Sequence, residues 1–107
     1  RLEAWRALLE ACAEARRPRR LQEAMGMLAD VAIDLARPGV DPEVQVEVLQ
    51  SAVDAELVQR ASPGKRPTLL PDKWDELRLT LALSLQAAGF FKESRDLLIE
   101  VSRSGSS

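Results

Sequence analysis

The amino-acid sequence predicts an all-α fold: about five antiparallel helices in a helical-hairpin (α-α solenoid-like) stack or a small bundle. Three observations carry this reading. Apolar residues recur at three- and four-residue steps along nearly the whole chain, and no segment alternates with period two for long. Proline and glycine interrupt that pattern at Pro18, Pro38-Gly39, Pro42, Pro71 and Gly89, which divides it into helix-sized pieces. Finally, 107 residues that are 46% apolar can build a core without disulfides or metals. At this size roughly two thirds of the unfolded surface is buried on folding.

The first helix is expected from about Leu2 to Ala15, with Leu2, Trp5, Leu8, Leu9, Cys12 and Ala15 on one face. It stops at Arg16-Arg17-Pro18, because proline disfavours helical geometry in the residue before it. The second runs from about Arg20 to Ala36. Its stripe is Leu21, Ala24, Met25, Leu28, Val31, Ala32 and Leu35, with Asp30 and Asp34 outward. Pro38-Gly39 ends it. Asp41-Pro42 then supplies an N-cap carboxylate and a proline at the first helical position, starting a third helix that reaches Ala61. That helix is expected to bury Val44, Val46, Leu49, Ala52, Val53 and Leu57.

Ser62 to Leu70 holds two prolines and a glycine and reads as a loop, longer than most. A fourth helix follows from near Pro71 to Gly89. It is apolar on more than one face, with Trp74, Leu77, Leu81, Leu85 and Ala88 on one side and Leu79, Ala82 and Leu83 on the other. Such a helix is expected between neighbours. The fifth, from about Phe90 to Arg103, aligns Phe91, Ser94, Leu98 and Val101 with Leu97 beside them. Residues 1–101 form a single domain on this reading, and 102–107 a flexible polar tail. The start at Arg1 suggests a piece of a longer protein.

Within the fourth and fifth helices, Leu81-Ala82, Leu85, Gly89, Phe91, Ser94, Leu98 and Val101 form a pattern that resembles the tetratricopeptide repeat. Small residues at Ala82 and Ser94 let two helices cross closely, and Gly89 permits the tight turn between them. Arg78 stands where the family has a large aromatic, and Trp74 lies one turn earlier. The first two helices, with Trp5 to Cys12 followed by Leu21-Gln22-Glu23-Ala24, are similar to the related pentatricopeptide repeat. Both resemblances imply stacked helical hairpins. Ala7 falls where an RNA-reading member would carry a polar, base-contacting side chain.

The net charge is −2, unevenly spread. Residues 1–20 carry six Arg against three Glu, residues 21–61 two Arg against eight acids, and the remainder is nearly balanced. A basic knob beside an acidic stretch suits polar partner recognition better than a continuous nucleic-acid track. With no histidine, a single cysteine and no tyrosine, the chain lacks the usual metal ligands, a disulfide framework and a base-stacking surface. No cofactor is expected.

Candidate interaction residues fall in three groups. Arg16, Arg17, Arg19 and Arg20 surround Pro18 and suit phosphates or an acidic peptide; the alternative is a solvated, charged turn. Glu43, Glu47 and Asp54 give the third helix an acidic face able to steer a basic partner. Met27, Leu69 and Leu70 fall off the main stripes and either cover a partner or cap the core. Asp72, Asp75 and Glu76 sit in the first turns of the fourth helix, where negative charge stabilises the helix end, and Cys12 reads as a packing residue.

The reading that follows is a protein–protein interaction or scaffold module that binds a protein partner or itself. RNA or DNA binding through the Arg16–Arg20 turn is the alternative, and an enzyme is not expected. No apolar run is long enough for a membrane helix, and the lone cysteine with no signal segment suggests the cytoplasm or nucleus.

Overall fold

The computed structural model describes residues 2–14, 18–61 and 67–105. Among them are five helices: α1 Leu2–Glu14, α2 Pro18–Leu35, α3 Pro42–Ala61, α4 Pro71–Ala87 and α5 Phe91–Gly105. No strand occurs among the described residues, and the fold is all-α. Each helix packs chiefly on its neighbours in the chain, α1 on α2, α2 on α3, α3 on α4 and α4 on α5, and α2 also touches α4. The result is a plate of 38 × 36 × 18 Å, about two helix layers thick.

The boundaries follow local chemistry. At α3 the Glu43 N–H donates to Asp41 Oδ1 at 3.0 Å, the expected N-cap, with Pro42 at the first helical position. Pro71 opens α4 in the same way, without a side-chain cap. α4 ends in a Schellman turn: Phe90 N–H donates to the Leu85 carbonyl at 2.8 Å and Gly89 N–H to that of Gln86 at 3.1 Å. Gly89 holds φ +93° there. A β-carbon at that φ is strained, so Gly89→Ala is expected to cost about 1–2 kcal/mol, read as a lower urea midpoint with an unchanged slope.

Two boundaries differ from expectation. α2 begins at Pro18 rather than Arg20, because proline is pre-organised for the first helical position, and this draws Arg19 and Arg20 into the first turn. α5 runs to Gly105, past the expected start of the polar tail at Ser102. No breaker precedes Gly105, and buried Val101 anchors the last turns.

One core joins four helices and a loop. Trp5 and Cys12 come from α1, Met25, Leu28, Ala29 and Ala32 from α2, Val48, Leu49, Ala52 and Val53 from α3, and Trp74, Leu77, Leu81 and Leu85 from α4, with Leu69 closing it. Burial pushes the Cys12 thiol pKa up, which suits a packing residue rather than a nucleophile. Leu57, expected inside, is exposed, and its neighbour Glu56 takes the interior position instead. Gln45 ties the α2–α3 corner to α4: its side-chain N–H donates to the Arg37 and Val40 carbonyls, both at 2.9 Å, and its oxygen accepts from Ser84 at 2.9 Å. No described helix is long and apolar enough to cross a membrane.

Candidate interaction surfaces

The densest polar constellation is built on Glu56. Its residue is 0% exposed, so its carboxylate depends wholly on protein partners. It accepts from Arg60 Nε at 2.9 Å, one helical turn on, and from the backbone N–H groups of Thr68 at 3.0 Å and Leu69 at 3.1 Å. The Thr68 hydroxyl donates to its other oxygen. These bonds hold the segment entering α4 against α3. Beside them the Trp74 ring meets two guanidiniums, Arg60 at 4.6 Å and Arg78 at 4.7 Å from the ring centre. Arg78 in turn contacts Asp75 at 2.6 Å. A cleft of about 420 Å³ opens here, lined among others by Gln22, Arg60, Leu70 and Trp74. Its charges are matched within the protein, which gives it the character of a structural knot. No cluster of three or more His, Cys, Asp or Glu among the described residues is placed to hold a metal.

The residues expected from sequence do not form one site. Arg16 and Arg17 lie outside the described residues. Arg19 and Arg20 are exposed in the first turn of α2. Glu43, Glu47 and Asp54 are exposed on α3, and Asp54 accepts from Gln50 at 2.9 Å. Met27 is exposed on α2, and Leu70 is 70% exposed. Of the two roles expected for Leu69 it takes the core cap and not the partner contact: it is 5% exposed and packs in the core, because the Thr68 and Leu69 N–H bonds to Glu56 turn it inward. Lys73 bridges Asp30 of α2 at 2.7 Å and Glu76 at 3.1 Å, and these two hydrogen bonds raise its pKa. All three groups are solvated enough that the bridge orients the helices more than it stabilises them.

A larger surface was not anticipated. Leu79 and Leu83, expected to face neighbours, are exposed, as are Phe91 and Leu98 of α5. Their positions are fixed by helix geometry. Ala82 faces α5, since the buried Ser94 hydroxyl donates to its carbonyl at 2.7 Å. Turning round α4 from the core residues Leu77 and Leu81 through Ala82, the next apolar side chains are Leu79 and Leu83. Turning round α5 in the same sense from Leu97, which packs on the core, through Ser94, come Leu98 and Phe91. In an antiparallel pair the same sense of rotation leads to the same side. All four therefore line the hairpin face opposite the core, with Leu83 64% and Phe91 66% exposed. The sequence signal was present, since these residues continue the apolar pattern. The pattern alone does not say which apolar face is left without a helix over it.

No protein-family model matches the chain, and comparison with curated proteins and with solved structures finds no match.

Proposed function

We propose that the chain is a protein-interaction module, a stack of helical hairpins whose outer α4–α5 face docks an apolar partner surface. The observation that carries this is the row Leu79, Leu83, Phe91 and Leu98, exposed together on the side away from the core. Contiguous apolar patches of this kind are uncommon on a surface with no partner. The tetratricopeptide-like reading of this hairpin is supported by the small residues Ala82 and Ser94 at the crossing and by Gly89 at the turn. A cytoplasmic or nuclear setting belongs to the same proposal, since it keeps Cys12 reduced. The test is site-specific photo-crosslinking from Gln86, beside Phe91, in cell extract. Crosslinked products are expected, and Leu83→Glu is expected to reduce them at least about tenfold, the weight of one buried leucine in an interface. Products unaffected by Leu83→Glu would overturn the reading.

One observation favours a second reading. Arg19 and Arg20 sit where the positive end of the α2 dipole disfavours them, and a bound polyanion would offset that cost. Fluorescence polarisation with single-stranded RNA at low salt decides this. No binding is expected. Salt-sensitive binding lost on changing Arg16, Arg17, Arg19 and Arg20 to Ala would make the basic segment the functional site.

A further inference from the structure

We infer that the partner of the outer α4–α5 face is a second copy of this chain, packed hairpin to hairpin about a twofold axis that runs along the groove between the two helices. The inference rests on the docking reading above and gives that surface its occupant.

Charge order carries the argument. On α4 the stripe of Leu79 and Leu83 continues toward the N-terminus as Asp72 and Glu76, both exposed and acidic. The exposed charges flanking the apolar row on α5 are Lys92, Arg95 and Arg103, all basic. Glu93, Asp96 and Glu100 of α5 lie further round, toward the back of that helix. The face thus carries acidic charge at the N-terminal end of its α4 strip and basic charge along α5, with leucine and phenylalanine completing it. A twofold axis along the groove lays α4 of each copy antiparallel over α5 of the other. Apolar row then meets apolar row, and the acidic N-terminal end of each α4 meets the partner's α5 near Arg103, with Arg95 and Lys92 further along the same helix. Asp72 and Glu76 come level with the C-terminal part of α5, where Arg103 sits. A twofold axis across the groove would instead place α4 on α4, with Asp72 and Glu76 over the uncharged end at Gln86 and Ala87. The surface is complementary to itself in one arrangement, which a face built for an unrelated partner has no reason to be.

The area is sufficient but small. The 17 residues of α4 span about 25 Å, and two helices side by side about 20 Å, so each copy covers roughly 500 Å² and the pair about 1,000 Å². That is the lower range of specific interfaces, and it points to a weak, concentration-dependent dimer.

The experiment is sedimentation equilibrium of the full chain from about 1 μM to about 1 mM. The apparent mass is expected to rise from 11.8 kDa toward twice that value. Leu83→Glu is expected to weaken the dimer at least tenfold. Two charge variants test the geometry: Asp72→Lys with Glu76→Lys makes both helices of the face basic, and Lys92→Glu with Arg95→Glu and Arg103→Glu makes both acidic. Each alone is expected to be monomeric, and an equimolar mixture is expected to recover the dimer. All these positions are exposed, so circular dichroism is expected to show unchanged helicity. A wild type monomeric throughout, a dimer indifferent to Leu83→Glu, or a mixture no stronger than its components would overturn the inference. A monomeric wild type whose crosslinks from Gln86 still depend on Leu83 would overturn self-association alone and leave the docking surface standing.

Discussion

Glu56→Ala is expected to destabilise the protein by about 3–5 kcal/mol, the largest effect of any single charged residue among those described. The change leaves the backbone N–H groups of Thr68 and Leu69 without their acceptor and removes the counter-charge of Arg60 in a buried setting. Leu69 then loses the bonds that turn it into the core, and Trp74 loses the ordered guanidinium on one face. In a domain of ordinary stability this removes a third or more of the total. Urea unfolding followed by circular dichroism measures it, with tryptophan fluorescence in a Trp5→Phe background reporting Trp74. Glu56→Gln separates charge from shape. With its oxygen in the Oε2 place it keeps the acceptor of both N–H groups but removes the charge that holds Arg60, so about half the loss is expected, roughly 1.5–3 kcal/mol. Equal losses for Ala and Gln would mean that charge, not the acceptor geometry, holds the knot.

Leu49→Ala is expected to cost about 2–5 kcal/mol. Leu49 is fully buried in the middle of α3, the helix packed on both α2 and α4, so truncation opens a cavity between three elements that cannot all close on it. The control is Leu57→Ala on the same helix. Leu57 is exposed, and its truncation is expected to change stability by less than about 0.5 kcal/mol. The pair tests the register of α3, because the sequence pattern alone places both leucines inside. Equal effects would place α3 in a different rotation about its axis.

Much of the fold was legible before any coordinates. Asp41-Pro42, Pro71 and Gly89 act through their own backbone chemistry, so the ends they mark agree with the structure to within about two residues. The stripe of α2 was readable for a similar reason: Met25, Leu28 and Ala32 lie one helical turn apart on a helix with a single buried face. Glu56 was not readable. Among eight acids between residues 21 and 61 nothing local distinguishes it, since three of the four groups that satisfy it belong to Thr68 and Leu69, twelve and thirteen residues later. For Leu69 the sequence leaves two roles open, partner contact or core cap, because the choice depends on those bonds. Leu79, Leu83, Phe91 and Leu98 were misplaced for another reason. Periodicity identifies an apolar face, but whether that face is covered depends on the number and placement of the other helices. In the basic segment Pro18 carries two opposite signals, ending the helix before it and opening the one after it, and the second draws Arg19 and Arg20 into α2.

The order of helix packing also bears on how fast the chain finds its structure. Because each helix rests chiefly on the one before and the one after it, most native contacts close short loops, and the entropic barrier to forming them is low. Folding on the microsecond-to-millisecond scale follows. The α2–α4 contact, with its Lys73–Asp30 bridge, is among the few links that reach beyond an adjacent hairpin, so it is where the two ends of the plate are made to fold as one unit rather than as successive hairpins.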